Sequence, residues 1–468
     1  MIGEFFRNGL RDVATQKISI GVTGFSRAGK TVFIGSLAQA LLTAEAWKSR
    51  RGQGALAQFG PFERDQFKYA HIRDDLHNDK PQFPFRKVRD ALIGSNAWPQ
   101  PTEGLSRLVI DLEGVPKAAF RNWLAVKGGM QEVGLGRVQL ELIDYPGEWL
   151  VDLPMLQMDF ASWSADMLER AQNGPRKLLS QVYFKALSEL PQRSRFDEEW
   201  ASRLSEDWTN YLQLAVKQGL VLNQPGRLLR PDKLAGSPVL RLVPLPISLV
   251  ESDFYRRMRD RYESYKKSVI SPFYKEHFSK IDRQIVLVDV LRTLQNGEDA
   301  FTEMTDAMTN TLRTFNYSKG GWLSRLAGAK TTHVLFAATK ADHVTRGDRI
   351  NLEELLRKML TEVDGDKHLR ANSLQSGVMA LASIRATEDR ITTSAPHREI
   401  LSGQRRVDDK ADQWDPGGLP LDFPPNWPQM NFEFLDFAPM PMADAKLNGF
   451  PSINLGKALN FLIGEDFR

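Results

Sequence analysis

Gly24-Phe25-Ser26-Arg27-Ala28-Gly29-Lys30-Thr31 fits the pattern G-x-x-x-x-G-K-[ST], and its reading decides the fold of the chain. Before it, Lys17 to Thr23 alternates as a strand does. After it, Val32 to Thr43 is an apolar, Ala- and Leu-rich run that predicts a helix. A strand, a glycine-rich turn and a helix N-terminus in that order bring successive backbone N–H groups onto one anion. Gly24, Ser26, Arg27, Ala28, Gly29, Lys30, Thr31 and Val32 would then line the phosphates. Lys30 reaches the β- and γ-phosphates as the catalytic cation, and Thr31 offers its hydroxyl to Mg²⁺. The loop by itself specifies a nucleoside triphosphate and leaves the base open.

A phosphate loop needs a carboxylate on a neighbouring strand to help hold the metal. Arg137 to Asp144 supplies one: an apolar run ends in Asp144 and is followed by Tyr145-Pro146-Gly147. Asp-x-x-Gly is the GTPase arrangement, in which the Asp holds a metal-bound water and the N–H of Gly147 reads the γ-phosphate. His333 to Thr339 predicts a further strand, and Thr339-Lys340-Ala341-Asp342 follows it in the form [NT]-K-x-D. The carboxylate of Asp342 can accept from guanine N1–H and N2–H₂. Adenine has neither donor and would leave a buried acceptor unpaired. The Lys340 stem covers the base face, with Thr339 beside it. Gly377 to Ser383 reads as one more strand, ending at Ser383 and Ile384, whose backbone N–H groups would meet guanine O6.

The motif order gives the fold class. Strands are expected near 17–23, 107–113, 138–144, 284–290, 333–339 and 377–383, separated by helices. This is an α/β P-loop NTPase of the Ras-like G-domain kind: a doubly wound, mostly parallel sheet with nucleotide at the carboxyl ends of its strands. The intervals from Thr31 to Asp144 and from Gly147 to Thr339 are longer than such a domain needs. The first implies an insertion at about 44–106. The second contains long charged-and-apolar helical stretches at 160–172, 177–190, 198–219 and 252–281, implying a helical insertion. The expected division is 1–150 and 283–468 for the two parts of the G domain and 151–282 for the insertion. Its place directly after Gly147 suits either a lever moved by the γ-phosphate or a static cap.

With these motifs in view, the sequence resembles the YcjX family of bacterial P-loop proteins. The resemblance rests on the Gly24–Thr31 loop, on Asp144-Tyr145-Pro146-Gly147-Glu148, and on the closing Gly449-Phe450-Pro451-Ser452-Ile453-Asn454-Leu455-Gly456-Lys457-Ala458-Leu459-Asn460-Phe461-Leu462-Ile463-Gly464. It covers essentially the whole chain. It implies nucleotide binding, an association with stress, and a gene neighbourhood that includes a membrane protein. Partners implied are therefore a guanine nucleotide (GTP or GDP) and an inner-membrane protein or membrane surface, with a cytoplasmic or peripheral location. Dynamin-like GTPases also use Asp-x-Pro-Gly and Thr-Lys-x-Asp. Guanylate-binding proteins carry an arginine finger in cis where Arg27 stands, so Arg27 either neutralises transition-state charge or points to solvent or a partner. Glu148 either orients water or is an exposed switch residue. Thr102, in the Pro-rich stretch before Leu108 to Leu112, is the candidate first-switch Thr for the metal.

Composition limits the alternatives. A chain of 468 residues predicts two or three structural units, and 42% hydrophobic with 26% charged residues is ordinary for a globular protein. No apolar run approaches the ~20 residues that cross a bilayer. The charged N-terminus carries no secretion signal, while Ile2, Phe5, Phe6, Leu10 and Val13 form an apolar stripe suited to core packing or, less simply, membrane docking. With no cysteine, thiolate catalysis, disulfides and Cys-based zinc sites are excluded. A net charge of +4 is mild, and nucleic acid is not an expected partner. The basic, aromatic stretch Phe254 to Lys267 reads as a solvated helix with its Tyr residues buried. The tail from Asp415 to Met442 should pack as extended segments, and Leu455 to Ile463 should close the chain as a helix. The reading that results is a Mg²⁺-dependent GTPase switch. A dynamin-like membrane GTPase, an ATPase and a non-hydrolysing nucleotide-binding scaffold compete with it.

Overall fold

The computed structural model describes residues 15–25, 27–50, 52–73, 81–94, 97–100, 104–114, 136–190, 195–317, 331–361, 374–406, 411–427, 432–442 and 444–467. Ser26, Thr102 and the stripe from Ile2 to Val13 lie outside the described residues. The strands are β1 (Thr15–Gly24), β2 (Phe67–Ile72), β3 (Ser106–Gly114), β4 (Gly136–Asp144), β5 (Arg283–Val288), β6 (His333–Ala338) and β7 (Gln375–Ala380), with a second set β8 (Thr387–Ile391), β9 (Glu399–Gln404) and β10 (Ala411–Trp414). The first seven form one sheet in the order β2-β3-β4-β1-β5-β6-β7. β4, β1, β5, β6 and β7 pair in parallel, and β2 and β3 add an antiparallel edge. This is the Ras-like G-domain sheet extended by one edge strand. β8, β9 and β10 form a separate three-stranded antiparallel sheet.

The central strands are buried on both faces, so adjacent residues serve different cores. On β6, Leu335 and Ala337 join the core formed with the helix α1 (Lys30–Leu42), α2 (Phe85–Gly94) and the C-terminal helix. Val334, Phe336 and Ala338 join the opposite core. There the partners are α3 (Glu148–Val151), α4 (Phe160–Gln172), α5 (Gln181–Ser188), α6 (Glu198–Lys217), α7 (Asp253–Tyr265), α8 (Ser271–Glu276), α9 (Val290–Gln295), α10 (Glu298–Tyr317) and α11 (Arg349–Thr361). The closing helix on the α1 side is α12 (Leu455–Ile463), with the bounds the sequence predicts. The inserted helices thus share one continuous apolar core with a sheet face.

Several inserted helices begin where a short polar side chain caps them. Asp159 accepts from Ser162 N–H at 2.8 Å, Asp197 from Glu199 N–H at 2.8 Å, and Ser252 from Tyr255 N–H at 3.0 Å. The helix expected over 252–281 is interrupted: α7 passes through a π-turn at Lys266–Ile270 before α8. Pro272 lies in the first turn of α8, where it lacks an N–H and its ring would crowd the preceding turn, and the wider π-turn makes room. On α7, Tyr255, Tyr262 and Tyr265 are buried and Arg256, Arg257 and Arg259 are exposed, as the sequence predicts, while Arg261 is largely covered and pairs with Glu198. No helix among the described residues is long and apolar enough to cross a membrane.

Candidate functional site

The sheet order places β1, β5 and β6 side by side, and their carboxyl ends carry the motifs. α1 opens at Gly29, which adopts φ 88° and gives the helix no side-chain cap. The capped helices α4, α6 and α7 spend a side-chain oxygen on their first-turn N–H groups, whereas α1 presents that turn to the loop's concave side. Lys30 folds back so that Nζ donates to Gly24 O at 2.6 Å. Arg27 is exposed with φ 67°, a left-handed conformation disfavoured for a side chain with a Cβ. Ala28 closes the turn by donating its N–H to Phe25 O at 3.1 Å.

Gly24 admits no side chain, since a Cβ there would stand 2.4 Å from the carbonyl of Leu287. A Cβ on Gly147 would lie 2.7 Å from the Gly24 carbonyl carbon and 3.0 Å from Phe25 N, so the Asp-x-x-Gly turn rests directly on the Gly24–Thr31 loop. The register Val22↔Asp144 brings Asp144 beside the end of β1, where it is buried. Thr31 stands in the first turn of α1, close to fully buried. One hydroxyl and one carboxylate are hard oxygen donors, which suit Mg²⁺ bound through protein and phosphate together rather than a protein-only cage. No group of three or more His, Asp or Glu that could hold a metal ion is found among the described residues.

At the base end, Thr339 caps β6 by donating its N–H to Val288 O at 2.9 Å. Lys340 has φ 60°, and its Nζ lies 2.7 Å from Asp289 Oδ2. Asp342 is 2% exposed, and its Oδ2 accepts from Ala386 N–H at 2.6 Å. A carboxylate has about four acceptor positions, so Asp342 retains capacity for further donors. The loop 381–386 is held from several sides. Ala382 and Ile453 exchange backbone bonds, Arg385 N–H donates to Pro451 O at 2.8 Å, and Ser36 Oγ–H donates to Ser383 O at 2.5 Å. The Ser383 and Ile384 N–H groups have no acceptor among the described residues. Much of the closing Gly449–Gly464 stretch therefore positions the loop beside Asp342.

The residues directly after Gly147 lock into the insertion. Sequence reasoning offered an exposed position for Glu148, but it is 6% exposed because α3 is covered by the loop 224–230. A Cβ on Gly226 would fall 2.0 Å from Glu148 O, and the Arg227 guanidinium stacks 3.3 Å from the centre of the Trp149 ring. Gln224 bonds at once to Val151 O, Trp163 and Trp208. Asp152 accepts from Gly226 N–H at 2.7 Å and Tyr265 Oη at 2.5 Å. Burial pushes its carboxyl up to about 6, against the lowering effect of those bonds and of Arg227. Deeper in the insertion, Arg176 reaches Glu303 at 2.5 Å, and Glu303 accepts the N–H groups of Val221 and Leu222. Asp289, Asp152 and Gln224 escaped the sequence reading. Only Asp289 left a signal, a carboxylate ending an apolar strand as Asp144 does.

The whole set matches a known family. The YcjX-like family, DUF463, covers residues 18–467, and the chain belongs to it. Among similar proteins are two called Ras-like GTPase YcjX. The one from Escherichia coli strain K12 is 32% identical over 467 residues, covering 96% of both chains. The one from Shewanella oneidensis strain MR-1 is 30% identical over 477 residues, covering 97% of this chain and 96% of the relative.

Proposed function

We propose that the protein is a Mg²⁺-dependent GTPase whose nucleotide state is read by the helical insertion, acting in a bacterial stress response. The observation that carries the reading is the convergence of Gly29, Gly24 and Gly147 on one uncapped helix N-terminus, with Asp144 beside it and Asp342 along the same sheet edge. The expected division is G domain at 1–150 and 283–468, with the insertion at 151–282. Thr31 and Asp144 would hold the metal, which supplies charge neutralisation at the β- and γ-phosphates. Lys30 leaves Gly24 O for the phosphates, and the Gly147 N–H meets the γ-phosphate. Water attacks the γ-phosphorus, the bond to the β–γ bridging oxygen breaks, and GDP and phosphate leave. Arg27 would offset charge on the transferred group. Asp342, covered by Lys340, would select guanine, with Ser383 and Ile384 at O6.

Hydrolysis is expected to be slow without a partner, because Glu148, in the place of a water-orienting side chain, is buried against the insertion. Release of phosphate from GTP should require Mg²⁺ and fall to background in Lys30→Ala. Turnover that persists in Lys30→Ala or in excess chelator would refute the assignment.

A further inference from the structure

The small sheet of β8, β9 and β10 carries none of the nucleotide motifs, yet it begins at the residue after the loop 381–386. That junction holds Asp342 at two points. Its Oδ2 accepts from Ala386 N–H at 2.6 Å, and its backbone carbonyl accepts from the hydroxyl of Thr387, the first residue of β8. Thr387 lies opposite Gly403 of β9, where a Cβ would stand 2.9 Å from the Ala386 carbonyl oxygen. β9 therefore packs against the residue that engages Asp342.

One carboxylate of β8 ties the two base segments together. Asp389 accepts from Arg349 Nη2 through both of its oxygens at 2.7 Å, and from Arg385 Nη2 at 2.9 Å. Arg349 Nε donates to the backbone carbonyl of Ala341, between Lys340 and Asp342, at 2.9 Å. The contacts thus run from Thr339–Asp342 through Arg349 and Asp389 to the loop that carries Ser383 and Ile384. A second tie reaches β9, with Gly347 N–H donating to Glu399 Oε2 at 2.9 Å. Helix stability does not account for Arg349. It opens α11, the end at which a cation opposes the macrodipole. The side chains of Arg349 and Asp389 are 16% and 28% exposed, so solvent screens this pair less than a fully exposed one. The planar guanidinium serves two partners at once, which the single ammonium of a lysine cannot reproduce.

We propose that Arg349 and Asp389 are positioning residues that fix Asp342 against the 381–386 loop and so set base selection. The inference rests on the guanine reading of Asp342 for the identity of the base. Rejection of a wrong base requires that an unmatched acceptor stay unpaired, and a loosened carboxylate would turn to water instead.

The test is calorimetric titration of GTP and ATP into the full-length wild type, Arg349→Ala, Arg349→Lys and Asp389→Ala. Loss of a charge-assisted tie should weaken GTP about tenfold or more, while ATP affinity, set by the phosphate end, should hold. With GTP as substrate, KM should rise and kcat stay near the wild-type value. Arg349→Lys keeps the cation beside Asp389 and guards the fold, yet it should lose selectivity as Arg349→Ala does. The double variant Arg349→Ala, Asp389→Ala should lose no more than either single one. Equal weakening of GTP and ATP would reduce the pair to a structural tie and overturn the proposal, as would a selective wild type whose variants stay equally selective. Hydrogen exchange in the nucleotide-free protein separates this from failure of the guanine reading: Ala386 N–H should exchange faster in Asp389→Ala. A wild type that binds GTP and ATP alike refutes the guanine reading, and faster exchange at Ala386 would still support the positioning of Asp342. Unchanged exchange there would overturn it.

Discussion

The two ends of the candidate nucleotide cradle are built on different principles. The phosphate end is backbone: three glycines, an uncapped helix and a switch turn packed within van der Waals distance of the loop. The base end is side chain, and its groups are already engaged, Asp342 with Ala386 and Lys340 with Asp289. Steric exclusion holds the first in shape, and internal hydrogen bonds hold the second. The phosphate end should therefore respond to volume and charge, and the base end to the pattern of donors and acceptors.

Beyond Lys30, the largest expected effect is at Arg27. Arg27→Gly removes the guanidinium and relieves the left-handed backbone, so folding should not suffer. GTP turnover should fall by roughly 10³-fold, the low end for an arginine acting on the transferred phosphoryl group, with affinity nearly unchanged. Intact turnover would remove Arg27 from the catalytic account.

Asp152 tests the clamp behind the switch turn. Its carboxyl is raised from 3.8 to about 6 by burial, so its contribution to stability is full below about 4 and lost as pH rises through about 6. The difference amounts to about 3 kcal/mol. Asp152→Asn should flatten that part of the pH dependence in denaturant unfolding at pH 4.5 and 7, and an unchanged slope would remove the clamp from the account.

A smaller effect belongs to Gly147. Its added methyl in Gly147→Ala meets the backbone of Gly24, which overpacking places at roughly 1–3 kcal/mol. Thermal unfolding should shift accordingly, and triphosphate affinity should drop more than diphosphate affinity. Equal losses for both would mean that the turn does not read the γ-phosphate.

The same contrast explains what was legible in the sequence. The proposed phosphate end is a contiguous octet and so legible as a motif, and the central strands are apolar runs whose places the sequence predicts to within a few residues. On β2 the exposed positions include Tyr69 and the partly buried ones include Lys68, so polarity does not follow burial, and the polar β8, Thr387–Ile391, carries no apolar run. The proposed base end is assembled from residues 339–342, 381–386 and 451–454: the first announces itself as Thr-Lys-x-Asp, the second more faintly as a strand ending at Ser383, and the third not at all. The clamp on Asp152 joins residues from three distant stretches, each unremarkable alone. Pairings of that kind are set by topology, which no local pattern records.

The central claim is that Asp342 makes this a guanine site, and titration of GTP and ATP into the wild type and Asp342→Asn tests it most directly. GTP should bind the wild type about 100-fold or more tighter than ATP, as for sites whose buried polar groups demand a matching partner. In Asp342→Asn, GTP should weaken and xanthosine triphosphate should gain. Equal affinity for GTP and ATP in the wild type, or GTP affinity unmoved by Asp342→Asn, would contradict it.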